Sequence, residues 1–183
     1  MSDEHIPVSC ERQDPLRARY EDHPEEAAIT DWARTRGGSV ADPFHGAVQV
    51  GSAEYGAWRF GIHRAVGGFH DMPNPGDILA AALASCLDST IRVIANRIGV
   101  KLESLEVEVH AQADVRGTLL VDREVPVGFH NMRCAVRMNP AEGTEPDILK
   151  QLLSAAEHCC VVMRTLKSGV SIETDLSIGR EQK

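Results

Sequence analysis

The sequence predicts an α+β fold in which antiparallel sheets pack around one long, central, buried helix. Three observations predict it. At 183 residues the chain has the size of one ordinary domain and can bury a core without staples. The stretch from Asn74 to Gly99 is capped at both ends and apolar on most sides. Segments on either side of it alternate apolar and polar residues, as strands with one wet face do.

Residues 1–43 are polar and charged, with Pro7, Pro15, Pro24 and the run Glu21 to Glu26. They read as an N-terminal extension, partly helical or mobile, ahead of a main domain over 44–178 and a short tail over 179–183. Ala47–Val50 and Ala57–Ile62, separated by Gly51 and Gly56, form a hairpin pattern. The long helix follows. Asn74 is its N-cap, Pro75 takes the first helical position, and Asp77 three residues after the cap completes an approximate capping box. Leu79, Leu83, Cys86, Thr90, Val93, Ile94 and Arg97 recur at helical spacing, and Ile78, Ala82, Leu87 and Ile91 make most of the other faces apolar too. About two dozen residues span roughly 36 Å. Such a helix belongs at the centre of the fold or of a dimer.

From Leu105 to Asp114 the apolar set Leu105, Val107, Val109, Ala111 and Ala113 alternates with Glu106, Glu108, His110, Gln112 and Asp114. Met132, Cys134, Val136 and Met138 repeat the pattern. Pro146 to Glu157 is a second helix, capped near Thr144 or Glu145, and Val161 to Lys167 can form a short third one. Gly169-Val170-Ser171-Ile172 begins a last strand.

Composition narrows the function. A net charge of −8 without a Lys/Arg block argues against nucleic acid or an anionic membrane as partner. Five cysteines, an odd number, exclude a fully paired extracellular framework. The start has no basic or apolar leader pattern, and no stretch is read as long enough to cross a bilayer. The chain therefore reads as cytoplasmic, where a disulfide is catalytic or transient more often than structural.

The cysteines are the candidates for chemistry. Cys86 on an alanine-rich helix has two readings, a small packed hydrophobe or a reactive thiol. Cys134 falls in register with Met132 and Val136 on an inward strand face and reads as packing; Cys10 lies in the extension. Cys159 and Cys160 precede the short third helix, whose unpaired N–H groups favour a thiolate. Adjacent cysteines rarely bridge each other without strain, so one of them is free to pair elsewhere, and the central helix offers a partner.

These residues resemble a known family. Asn74-Pro75, Leu79, Ala81-Ala82, Ala84 and Cys86, the Leu102-Glu103-Ser104-Leu105 step into a strand, and Ala156 four residues before Cys160 are similar to the osmotically inducible protein C and organic hydroperoxide resistance (OsmC/Ohr) family. The resemblance covers about Phe44 to Ser177. It implies an OsmC-like intertwined homodimer with the site at the interface, Cys86 as peroxidatic cysteine and Cys160 as resolving cysteine, with Cys159 an extra neighbour. It also implies an arginine ahead of the helix, for which Arg64 is the best match and Arg59 is less well placed. The family's glutamate, ten residues before the peroxidatic cysteine, falls on Gly76. Asp77 or Asp71 is then the candidate arginine partner, while Asp77 also reads as a plain helix cap.

The implied activity is reduction of organic hydroperoxides. Cys86 thiolate attacks the O–O bond, its sulfenic acid condenses with Cys160, and an external dithiol, lipoyl-type or similar, reduces the disulfide. Arg64 would stabilise the thiolate. No metal, flavin or haem is called for. Two other readings stand beside this one: a redox-responsive binding or interaction protein with weak turnover, motivated by Gly76, and a hydrolase using Ser85 or Ser89 with His158, which lacks the strand-turn-helix elbow such a serine needs. His63, His70 and His158 fit no recognised zinc spacing.

Overall fold

The computed structural model describes residues 6–36 and 38–178; the expected tail over 179–183 lies outside them. In chain order the elements are α1 (Val8–Asp22), β1 (Ala33–Thr35), β2 (His45–Val50), β3 (Ala57–Gly61), α2 (Pro75–Arg97), β4 (Leu102–Ala113), α3 (Val115–Thr118), β5 (Phe129–Pro140), α4 (Pro146–Cys159) and α5 (Val161–Ser168). Strands β1, β2 and β3 form one antiparallel sheet in that order, and β4 pairs with β5 in another. The architecture is α+β.

Helix α2 forms where its signals place it. Asn74 Oδ1 accepts from the amides of Gly76 (2.8 Å) and Asp77 (3.3 Å), and Asp77 Oδ2 accepts from the Asn74 amide (2.9 Å). The two residues thus satisfy each other's orphan donors in a full capping box. At the other end Gly99 adopts a left-handed φ of 76°, which stops the helix. Leu83, Leu87, Ile91 and Ala95 form one buried stripe that packs with Leu152, Ala156, Cys160 and Met163 of the α4–α5 segment. Leu105, Val107 and Val109 of β4 and Met132, Cys134 and Val136 of β5 close the core from the sheet side. Their register sets Val109 opposite Cys134 and Val107 opposite Val136. On the outer face Arg137 bonds Glu106 at 2.9 Å.

Four sequence expectations are corrected. The 23 residues of α2, with mean hydropathy 1.7 over its most apolar window, are long and apolar enough to cross a bilayer by length and composition, so one stretch does reach that length. Within this chain the helix buries one stripe against sheet and helices, and Val93, Ala82 and Ser85 lie exposed on its other sides. Ala113 leaves the inner face because the pairing register shifts between Gln112 and Ala113. No strand forms after Gly169: residues 169–178 have no regular structure, and Val170, Ile172, Leu176 and Ile178 are exposed. A strand exists only where a neighbouring edge takes its backbone hydrogen bonds, and among the described residues no strand pairs with this segment.

Helix α1 and strand β1, both before Phe44, join the fold. Helix α1 lies against the end of α2, where the Ser9 amide donates to Asn96 Oδ1 (2.8 Å) and Arg97 pairs with Asp14 (2.5 Å). The loop between β3 and α2 folds back on itself: the His70 amide donates to the Ile62 carbonyl, and a Cβ on Gly68 would sit 2.1 Å from that oxygen. His45 ties this loop to β2, with Nδ1 2.8 Å from Asp42 and Nε2 3.2 Å from Asp71 while the Phe69 ring stacks on the imidazole.

Candidate active site

Cys86 lies on the edge of the buried stripe of α2, one residue before Leu87. Cys160 sits at the junction where α4 ends and α5 begins, with a non-helical backbone (φ −71°, ψ 108°) and no exposed surface. Packing of the α4–α5 junction onto α2 sets Cys86 against the core cluster that contains Cys160, close enough for the Cys86 thiol to affect the protonation of Cys160. All five cysteines carry free thiols. Burial pushes the Cys160 thiol above its ordinary value, the amides of Met163 and Val162 at the start of α5 pull it down, and the neighbouring Cys86 raises it further. A thiol held protonated is poorly suited to initiate attack on a peroxide, because the thiolate is the nucleophile.

Cys159, the residue before, is exposed at the last position of α4. Cys134 faces the core from β5; burial first, then Glu157, raises its thiol, and Lys167 opposes this. Two cavities flank the thiol pair without being lined by it. One of about 350 Å³ is bounded by Leu83, Met132, Cys134, Met163 and Lys167. The other, about 690 Å³, lies at the N-terminal end of α2 between His63, Asn74, Leu79, Val109, His110 and Phe129.

The other expected site residues stand apart from the thiols in the single chain. Asp77 is engaged by Asn74 through both the backbone amide and the side-chain amide (2.9 and 2.6 Å). It precedes Cys86 by nine residues, about 13 Å along the helix axis. Arg64 lies exposed in the short 3-10 turn 64–66 and forms no ion pair among the described residues. Asp71, the second candidate for its partner, is taken by His45. Gly76 explains itself sterically: a Cβ there would meet Phe129 Cζ and Asn74 Oδ1, each at 2.9 Å. The Phe129 contact with Gly76 and the His45–Asp71 link carried no signal in the sequence, because each joins residues far apart in the chain.

Residues 68–175 match the family described as OsmC-like protein, more than half of the chain, and the protein belongs to that family. Among solved structures it is similar to an OsmC-like protein of unknown function from Vibrio cholerae (TM-score 0.61, 12% identity, 75% of this chain and 94% of that one). It is also similar to an organic hydroperoxide resistance protein from Elizabethkingia anophelis (TM-score 0.57, 17% identity, 78% and 91%). A third is the organic hydroperoxide resistance protein OsmC from Legionella pneumophila (TM-score 0.53, 20% identity, 76% and 90%). At these identities the likeness is one of fold. No curated protein matches the chain.

Proposed function

We propose that the protein is a cysteine-based peroxidase that reduces organic hydroperoxides. The observation that carries this reading is the packing of Cys86 on α2 against the core cluster that holds Cys160 at the α4–α5 junction, two free thiols from distant parts of the chain. Cys86, partly exposed, is the attacking thiolate: it takes the distal peroxide oxygen to become a sulfenic acid and releases the alcohol. Cys160 then displaces water from that sulfenic acid to give the Cys86–Cys160 disulfide, and an external dithiol restores both thiols. The apolar residues Leu83, Met132 and Met163 beside the pair favour an alkyl or lipid hydroperoxide over hydrogen peroxide. The organic hydroperoxide resistance proteins of similar fold support the same substrate class.

A homodimer completes the proposal. The uncovered side of α2, the exposed rings of Trp58 on β3 and of Trp32 and Tyr55 in the segments flanking the first sheet, and the alternating apolar residues from Val170 to Ile178 all want a cover that one chain lacks. A second copy would supply it, and Arg64 would reach a thiol in the assembled pair. Asp77 acts by holding the N-terminal end of the helix that carries Cys86.

The test is consumption of cumene hydroperoxide or tert-butyl hydroperoxide by the reduced protein with excess dithiol. Turnover is expected in the wild type and absent in Cys86→Ser; equal turnover in that variant would overturn the assignment. The second reading, a redox-responsive binding protein, is favoured by Gly76 and the unpaired Arg64. It predicts one round of Cys86 oxidation without turnover under saturating dithiol.

A further inference from the structure

Cys159 is the one thiol of the site without a role. Cys160 has no exposed surface, so its sulfur, once joined to Cys86, is shielded from a reductant in solution. Cys159 is exposed and adjacent in the chain, with its Cα about 3.8 Å away across a trans peptide. The helix breaks between them: Cys159 closes α4, while the extended backbone of Cys160 opens α5.

We propose that Cys159 is a relay thiol that passes reducing equivalents from an external dithiol to the Cys86–Cys160 disulfide. This rests on the peroxidase reading above. In the first exchange the Cys159 thiolate attacks the Cys160 sulfur. A Cys159–Cys160 bond forms, the Cys160–Cys86 bond breaks, and the electron pair leaves with Cys86 as the thiolate needed for the next peroxide. In the second exchange a thiolate of the dithiol attacks the exposed Cys159 sulfur and releases Cys160, which takes up a proton. The dithiol's other sulfur then closes its own disulfide and frees Cys159. One dithiol is oxidised and one protein disulfide is reduced.

The relay is favoured over direct attack by the same burial that hides Cys160. Attack from solvent on Cys86 would expel the Cys160 thiolate into apolar surroundings, where burial raises its proton affinity and makes it a slow leaving group. The relay also expels Cys160, but from the small ring of a vicinal disulfide. The Cα separation there is below the usual disulfide range of about 4.4–6.8 Å, so ring opening releases strain. Strained, exposed disulfides are the readily reduced ones.

The experiment uses the full-length chain in two stages. One equivalent of cumene hydroperoxide is added to the reduced protein, and peptide mass spectrometry reads the disulfide. Dithiothreitol is then added and the reaction quenched over time with an alkylating agent. The wild type is expected to show Cys86–Cys160 first, then a transient species with Cys86 alkylated and Cys159 joined to Cys160. Cys159→Ser is expected to form the same first disulfide but to be reduced about tenfold more slowly or worse, without the transient species. If no Cys86–Cys160 bond forms in the wild type, the peroxidase reading itself fails. If the bond forms and Cys159→Ser is reduced at the wild-type rate, the relay alone is overturned.

Discussion

Restoring a glutamate at position 76 is the most direct way to ask what the local packing at the head of α2 permits. The Cβ it adds would sit 2.9 Å from both Phe129 Cζ and Asn74 Oδ1. The two contacts differ in how they yield. Phe129 is 41% exposed, so its ring can swing outward; Asn74 is buried and cannot move without giving up the bonds that cap α2. Losing the cap costs about 0.5–2 kcal/mol, and overpacking adds about 1 kcal/mol, the low end of its usual range. Replacing Gly by a better helix former near the N-terminus returns roughly 1 kcal/mol, with a further ~0.5 kcal/mol from the helix dipole. The net is a loss of about 1 kcal/mol, which for a chain of this size lowers Tm by about 2–4 °C. Gly76→Glu is therefore expected to unfold earlier than the wild type by circular dichroism. Combined with Phe129→Ala it should recover part of that loss, because the ring is one of the two obstacles. A Gly76→Glu variant that melts at or above the wild-type temperature would refute the steric account, as would a double variant no better than the sum of the singles.

Three further outcomes are expected. Arg64→Ala, at an exposed position without an ion pair among the described residues, should leave Tm nearly unchanged while lowering kcat/KM for cumene hydroperoxide by about tenfold to a hundredfold; a rate equal to wild type would remove Arg64 from the chemistry. His45 is held above its ordinary value of 6.5, first by Asp42 and then by Asp71. Its contribution to stability is therefore complete below 6.5 and lost as pH rises through the higher folded-state value, so a Tm-against-pH profile should fall across that window and flatten in His45→Gln. Cys160 is fully buried and its side chain makes no cap hydrogen bond at the start of α5, so Ser there would bury a hydroxyl without a cap partner while Ala would not. Urea denaturation should accordingly find Cys160→Ser less stable than Cys160→Ala by about 1 kcal/mol, and the reverse order would show that the buried hydroxyl finds a partner at the head of α5.

By itself the sequence determined what short-range rules govern. The Asn74–Asp77 box, Pro75 and Gly99 bound α2 because cap residues act on amides within one turn. The alternation in β4 and β5 marked the inner face because side chains on a strand point to opposite sides. The spacing of the cysteine segments, read with the family resemblance, singled out Cys86 and Cys160. What the tertiary structure decided are the long-range meetings. Packing α4 and α5 onto α2 sets Cys160 beside Cys86 and seals it from solvent, while leaving its neighbour Cys159 outside. The ring of Phe129, brought from the far end of β5, fills the space over Gly76, and Asp71 is spent on His45 instead of Arg64. The segment after Gly169 has the alternation of a strand and forms none over residues 169–178, because a strand needs a pairing partner as well as a pattern and among the described residues none pairs with it.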